Sequence, residues 1–117
     1  MSQYTETISL TDHQVGDRWI GVATVGPVTV NGQTPANALT RVRMTFQLGQ
    51  ITYTLDSVGD QGITIDDADS WEASIPARDD FLPRAGKWKW EMEFWQSGYE
   101  SPWTLYNGVL TVHDELG

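Results

Sequence analysis

The sequence predicts an all-β protein, an antiparallel sandwich of about seven to nine strands. Three observations carry that prediction. Apolar and polar residues alternate with period two in short runs, and Gly, Pro, Asn or Asp separate the runs. No segment of helical length shows a 3.6-residue period. The stretch GKWKWEMEFWQSG, residues 86–98, places Trp88, Trp90, Met92 and Phe94 opposite Lys87, Lys89, Glu91 and Glu93. One face of that run is wholly charged, so the other face must be buried.

The runs follow in order. YTETISL (4–10) alternates weakly, with Tyr4, Glu6, Ile8 and Leu10 on one side. RWIGVATV (18–25) is rich in apolar and β-branched residues and is punctuated by Gly26-Pro27, with VTV (28–30) after it. Asn31-Gly32 is a type I′ turn signal, although the polar QTPAN that follows suggests a longer loop. LTRVRMTFQL (39–48) turns Val42, Met44, Phe46 and Leu48 one way and Arg41, Arg43, Thr45 and Gln47 the other. Gly49-Gln50 is short enough to join it as a hairpin to QITYTLDS (50–57), where Ile51, Tyr53 and Leu55 share a face. GITID (62–66) and WEASI (71–75) flank the acidic link DDADS.

PARDDFLPRAG (76–86) has two prolines and reads as a loop or a single helical turn, capped by Asp79-Asp80 and pinned by Phe81 and Leu82. QSGYESP (96–102) is a turn, and WTLYNGVLTVHDEL (103–116) is the last strand. Gly108 inside it marks a bulge or a close approach by another group. The expected core is Trp19, Met44, Phe46, Tyr53, Leu55, Ile63, Ile65, Trp71, Trp88, Trp90, Met92, Phe94, Leu110 and Val112. No repeat or linker divides the chain, so one domain is expected over 1–117.

Seven basic residues against sixteen acidic ones give a net charge of -9. That balance argues against nucleic acid and against an anionic membrane surface as partners. There is no cysteine, which removes disulfides, thiolate metal sites and thiol catalysis. The N-terminal MSQYTETISL lacks the basic and apolar segments of a secretory signal, so a soluble product made in a cytoplasm is expected.

The order of elements over roughly residues 36–115 resembles the small immunoglobulin-like sandwich domains of tailed-phage and prophage proteins. It is similar to the N-terminal domain of baseplate upper proteins. The resemblance is carried by Leu39-Thr40, Gly62-Ile63-Thr64-Ile65, Ile75-Pro76-Ala77 and Ala85-Gly86, and by Gly108 with Leu110 and Val112. Trp88 and Trp90 stand where that pattern has two tyrosines, and Glu91-Met92 stands where it has aspartate and an apolar residue. The resemblance implies an immunoglobulin-like fold and a structural role in a virion, in contact with other tail proteins and in an oligomeric assembly. It brings no catalytic residues and no cofactor with it.

Each candidate site has a plainer role beside the functional one. The row Trp88, Trp90, Met92 and Phe94 reads as core, because four large apolar groups exposed side by side invite aggregation. Trp95 breaks the rhythm and falls on the charged face. With Tyr99 and Trp103 it forms either an exposed aromatic cluster for a protein partner or glycan, or a cap on the end of the sandwich. Asp66, Asp67 and Asp69 could hold calcium, but they lack the ligand register of a calcium loop and read as a solvated turn. Glu91 and Glu93 suit cross-strand ion pairing better than acid–base catalysis. His13 and His113 could meet through the fold, without a third ligand. No nucleophile elbow, phosphate loop or dinucleotide motif occurs, so the expected function is not enzymatic. It is a tail assembly module, with a carbohydrate-binding or host-recognition domain as the alternative.

Overall fold

The computed structural model describes Leu10 and residues 12–114. Within them lie eight strands: β1 (His13–Gln14), β2 (Val22–Val25), β3 (Leu39–Leu48), β4 (Ile51–Asp56), β5 (Thr64–Asp67), β6 (Glu72–Ile75), β7 (Gly86–Gln96) and β8 (Trp103–His113). They form two sheets, one of order β1-β8-β7-β3-β4 and one of order β2-β6-β5. The two sheets make a β-sandwich, and their strand order can be compared with that of immunoglobulin sandwiches, β8-β7-β3-β4 with G-F-C-C′ and β2-β6-β5 with B-E-D. One pairing departs from the expected antiparallel pattern: β1 runs parallel to β8, His13 opposite Val112.

The core lies between the sheets and is supplied by the predicted alternation. Trp88, Trp90, Met92 and Phe94 are 0–4 % exposed and sit opposite Phe46, Met44 and Val42 of β3 and Leu110 and Tyr106 of β8. Of the fourteen expected core residues only Tyr53 and Ile65 are partly exposed, at the margins where β4 and β5 form sheet edges. The Trp88 indole N–H donates to the Arg84 carbonyl at 2.9 Å. That bond ties the start of β7 to the loop before it, as the tyrosine corner does in immunoglobulin sandwiches.

Both predicted hairpin turns form. Leu48 pairs with Ile51 across Gly49-Gln50, with Gly49 at φ 59° as a type II′ turn requires. Asn31 and Gly32 both have positive φ, and Val30 and Gln33 exchange two backbone hydrogen bonds around them, so the turn is tight. VTV nonetheless makes no strand beyond that single bridge.

The expected strand over 18–25 is interrupted. Only Val22–Val25 joins a sheet. A Cβ on Gly21 would lie 2.1 Å from the Ile75 carbonyl oxygen, so the chain runs beside the end of β6 at contact distance there, with φ +76°. Beyond it Trp19 exchanges backbone hydrogen bonds with Arg78, in the register that Val22 and Ile75 set, as an isolated bridge. The segment 76–86 contains no helical turn. Asp80 and Leu82 adopt positive φ, and the chain is held by Phe81 and Leu82, both buried. Phe81 stacks on Trp19 at 3.8 Å and meets Phe46, Tyr53 and His13 edge-on at 5.2–5.5 Å. The strand expected over 4–10 lies outside the described residues, apart from Leu10.

Candidate functional site: an aromatic groove at one end of the sandwich

The three aromatic residues singled out in the sequence do not form one cluster. Trp95 lies on the outer face of the five-stranded sheet, as strict alternation requires. It is half-buried there, with the Arg41 guanidinium 4.6 Å and the Arg43 guanidinium 5.2 Å from its ring centroid. Each arginine is also held by a carboxylate. Arg41 donates two hydrogen bonds to Asp56, at 2.6 and 3.1 Å, and Arg43 donates two to Glu93, at 2.7 and 3.0 Å. The Trp95 indole N–H donates to the Glu100 carbonyl at 3.1 Å. Arginine, carboxylate and indole thus close on one another on the outer face of the sheet.

The expected cross-strand ion pairing of β7 is realised by Glu93 with Arg43. Farther along the same face, Thr45, Gln47, Lys89, Glu91, Asn107 and Val109 line a shallow groove of about 510 Å3.

Tyr99 and Trp103 do come together. With Pro35, Pro102, Asn37 and Gln96 they line a groove of about 380 Å3 where the β7–β8 turn meets the chain entering β3. Tyr99 is 59 % exposed. Trp103 pairs with Phe94 on the inward side of β8, and its ring lies 6.0 Å from that of buried Trp71. It is therefore part cap and part surface, which joins the two readings the sequence left open. Gln96, 8 % exposed, accepts a hydrogen bond from the Asn37 side-chain amide at 3.3 Å. The Asn37 carbonyl in turn accepts the Trp71 indole N–H at 2.8 Å. The groove is thus held to the core through hydrogen bonds as well as packing. Asn37, Gln96 and the two prolines were not read as site residues. Gln96 had a signal, being the polar residue at the last inward position of the row 88, 90, 92, 94, 96.

The acidic turn serves the backbone. Asp67 Oδ1 accepts hydrogen bonds from the amides of Asp69 and Ser70, both at 3.1 Å, and Asp66 accepts one from the Ser74 hydroxyl. Among the described residues no group of three or more His, Asp or Glu side chains is placed to hold a metal ion.

The two histidines are one strand apart but face opposite ways. His13 is buried against Phe81, whereas His113 is exposed and lies 3.3 Å from Asp12. Burial lowers the affinity of His13 for a proton, against the opposing pull of the Phe81 carbonyl and Asp17.

No protein-family model matches the chain, and no curated protein matches it as a relative.

Proposed function

We propose that this domain is a non-enzymatic structural module of a phage or prophage tail, working through protein–protein contacts in the baseplate region. The observation that carries the contact surface is that Tyr99 and Trp103 line one proline-walled groove. Tyrosine and tryptophan give large contact area at low entropic cost and are enriched where partners bind. The immunoglobulin-like sandwich and the ordered motifs from Leu39 to Val112 support the tail assignment. On this reading the chain resides in the virion among other tail proteins, in several copies.

The test is binding of the purified chain, by calorimetry, to the tail proteins encoded beside it. Tyr99→Ala and Trp103→Ala should each weaken the interaction by tenfold or more, since truncating an anchoring aromatic costs about 2 kcal/mol or more. Neighbouring genes unrelated to tails, or affinities indifferent to both substitutions, would reject the reading.

A carbohydrate-binding role at the same groove is the second reading. It is favoured by the Asn37–Gln96 amide pair beside an indole ring, the combination of polar and stacking groups that fixes a small ligand. Retention of a defined oligosaccharide on a glycan array, lost in Trp103→Ala, would select it.

A further inference from the structure

Sheet edges are templates for pairing, and proteins blunt them with short strands, charges, prolines or bulges. Three of the four edges described here are blunted. β1 has two residues. β2 has four, with an irregular register between Val22 and Val25. β5 has four and carries Asp66 and Asp67. The fourth, β4, is different. Along Ile51–Leu55 its sequence is ITYTL, with no charge, proline or glycine and an unbroken register against β3. Among the described residues no backbone group pairs with its outer side until Asp56, which bonds to the Gln61 carbonyl.

We infer that the β4 edge is a homodimerisation surface, on which Ile51–Leu55 pairs antiparallel with the same segment of a second copy about a two-fold axis through Tyr53. The two five-stranded sheets then run on as one. A two-fold contact is self-complementary by construction, so it requires a patch that does not repel itself. A chain of net charge -9 has few such patches. The β4 edge is uncharged, and Asp56 at its end is neutralised by Arg41 and falls opposite Gln50 of the partner subunit.

Centring on Tyr53 keeps faces matched. Exposed Thr52 stands opposite Thr54 of the partner subunit, a hydroxyl pair that is favourable across strands. Half-buried Ile51 stands opposite Leu55 of the partner subunit and extends the inner apolar layer. Tyr53 meets Tyr53 of the partner subunit at the axis. Its hydroxyl is buried with no hydrogen-bond partner among the described residues, and the pairing brings a second phenol beside it. Five residues of strand bury less than a standard interface, so the dimer is weak and concentration-dependent.

The inference does not rest on the tail reading or on the groove, and Tyr99→Ala should leave the dimer unchanged. The experiment is sedimentation equilibrium from ~10 μM to ~1 mM, a range that spans weak association. The wild-type mass should rise from one copy toward two. Thr52→Lys/Thr54→Lys places lysine opposite lysine twice. It should stay monomeric across the range, with an unchanged thermal melt because both positions are exposed. Thr52→Glu/Thr54→Lys places glutamate opposite lysine twice and should restore the dimer. A wild-type chain still monomeric at ~1 mM overturns the inference. So does a double-lysine variant that dimerises like wild type, or a Glu/Lys variant that does not recover.

Discussion

The Arg41 guanidinium lies 4.6 Å from the centroid of the Trp95 ring while donating two hydrogen bonds to Asp56. One cation therefore serves an aromatic face and a carboxylate together, and it joins β3, β4 and β7 across the outer side of their sheet. Arg43 repeats the arrangement with Glu93. Trp95 thus ties the outer face of the sheet together through its two arginines.

Trp95→Ala should cost about 1–2 kcal/mol, the scale of a cation–π contact in a partly desolvated setting with some lost packing. Trp88→Ala should cost about 3–5 kcal/mol, because it empties a fully buried indole site and removes the bond to Arg84. Urea denaturation of both variants checks the ordering. Partner binding should survive Trp95→Ala.

Gly108→Ala should destabilise by about 1–3 kcal/mol, the usual cost of overpacking. A Cβ at that position would stand 2.9 Å from Nε1, Cε2 and Cζ2 of Trp90, a buried ring that cannot swing aside. The close approach expected of a strand glycine is thus made by an indole. Trp90→Phe removes much of the obstructing ring, so the double variant should lose less than the sum of the two singles. Thermal unfolding of all four proteins measures the coupling.

Stability should fall in two steps as the solution is acidified. His13, neutral by burial, takes up a proton less readily than in the unfolded chain, whose histidine titrates near 6.5. The unfolded state therefore binds more protons below that value, and stability declines from about pH 6.5 downward. Asp56 acts later. Burial favours its neutral form, but hydrogen bonds from Arg41 and the Val58 amide, with the charges of Arg41 and Arg43, outweigh that and hold it below its usual 3.8. Its contribution is full above that value and is lost as pH falls through the lower folded value. Unfolding free energies measured from pH 8 to 3 should show both steps, and His13→Gln should remove only the first.

Asp67→Ala should cost about 1 kcal/mol, as loss of a side chain that caps backbone amides does elsewhere. It frees the amides of Asp69 and Ser70 just ahead of Trp71, which is buried with φ 57°. Asp69→Ala, whose carboxylate caps neither amide, should be close to neutral by the same denaturation assay.

The sandwich was legible because period two survives wherever a strand has one dry face and one wet face. That held for Leu39–Leu48, Ile51–Leu55 and Gly86–Gln96 almost residue by residue. It failed where tertiary contact overrode local pattern. The break at Gly21 depends on the Ile75 carbonyl, more than fifty residues away in sequence. Phe81 and Leu82 pin their loop as expected, but without helical turns, because positive φ at Asp80 and Leu82 turns the chain instead. The candidate aromatic residues were found by type, yet their grouping was not. Whether Trp95 joins Tyr99 and Trp103 depends on which face each strand presents and on arginines contributed by β3, and neither is local information.

The register of β8 against β7 shifts between Met92 and Glu93, so that Leu105 is an extra residue and both Leu105 and Tyr106 turn inward. A regular strand can slide by two positions and bring the same faces back into register. β8 cannot, because sliding would carry two consecutive apolar side chains out of the sockets cut for them. The irregularity works as an indexing pin. It fixes how many residues remain for the turn at 97–102, and so sets where Tyr99 and Trp103 stand on the rim of the sandwich.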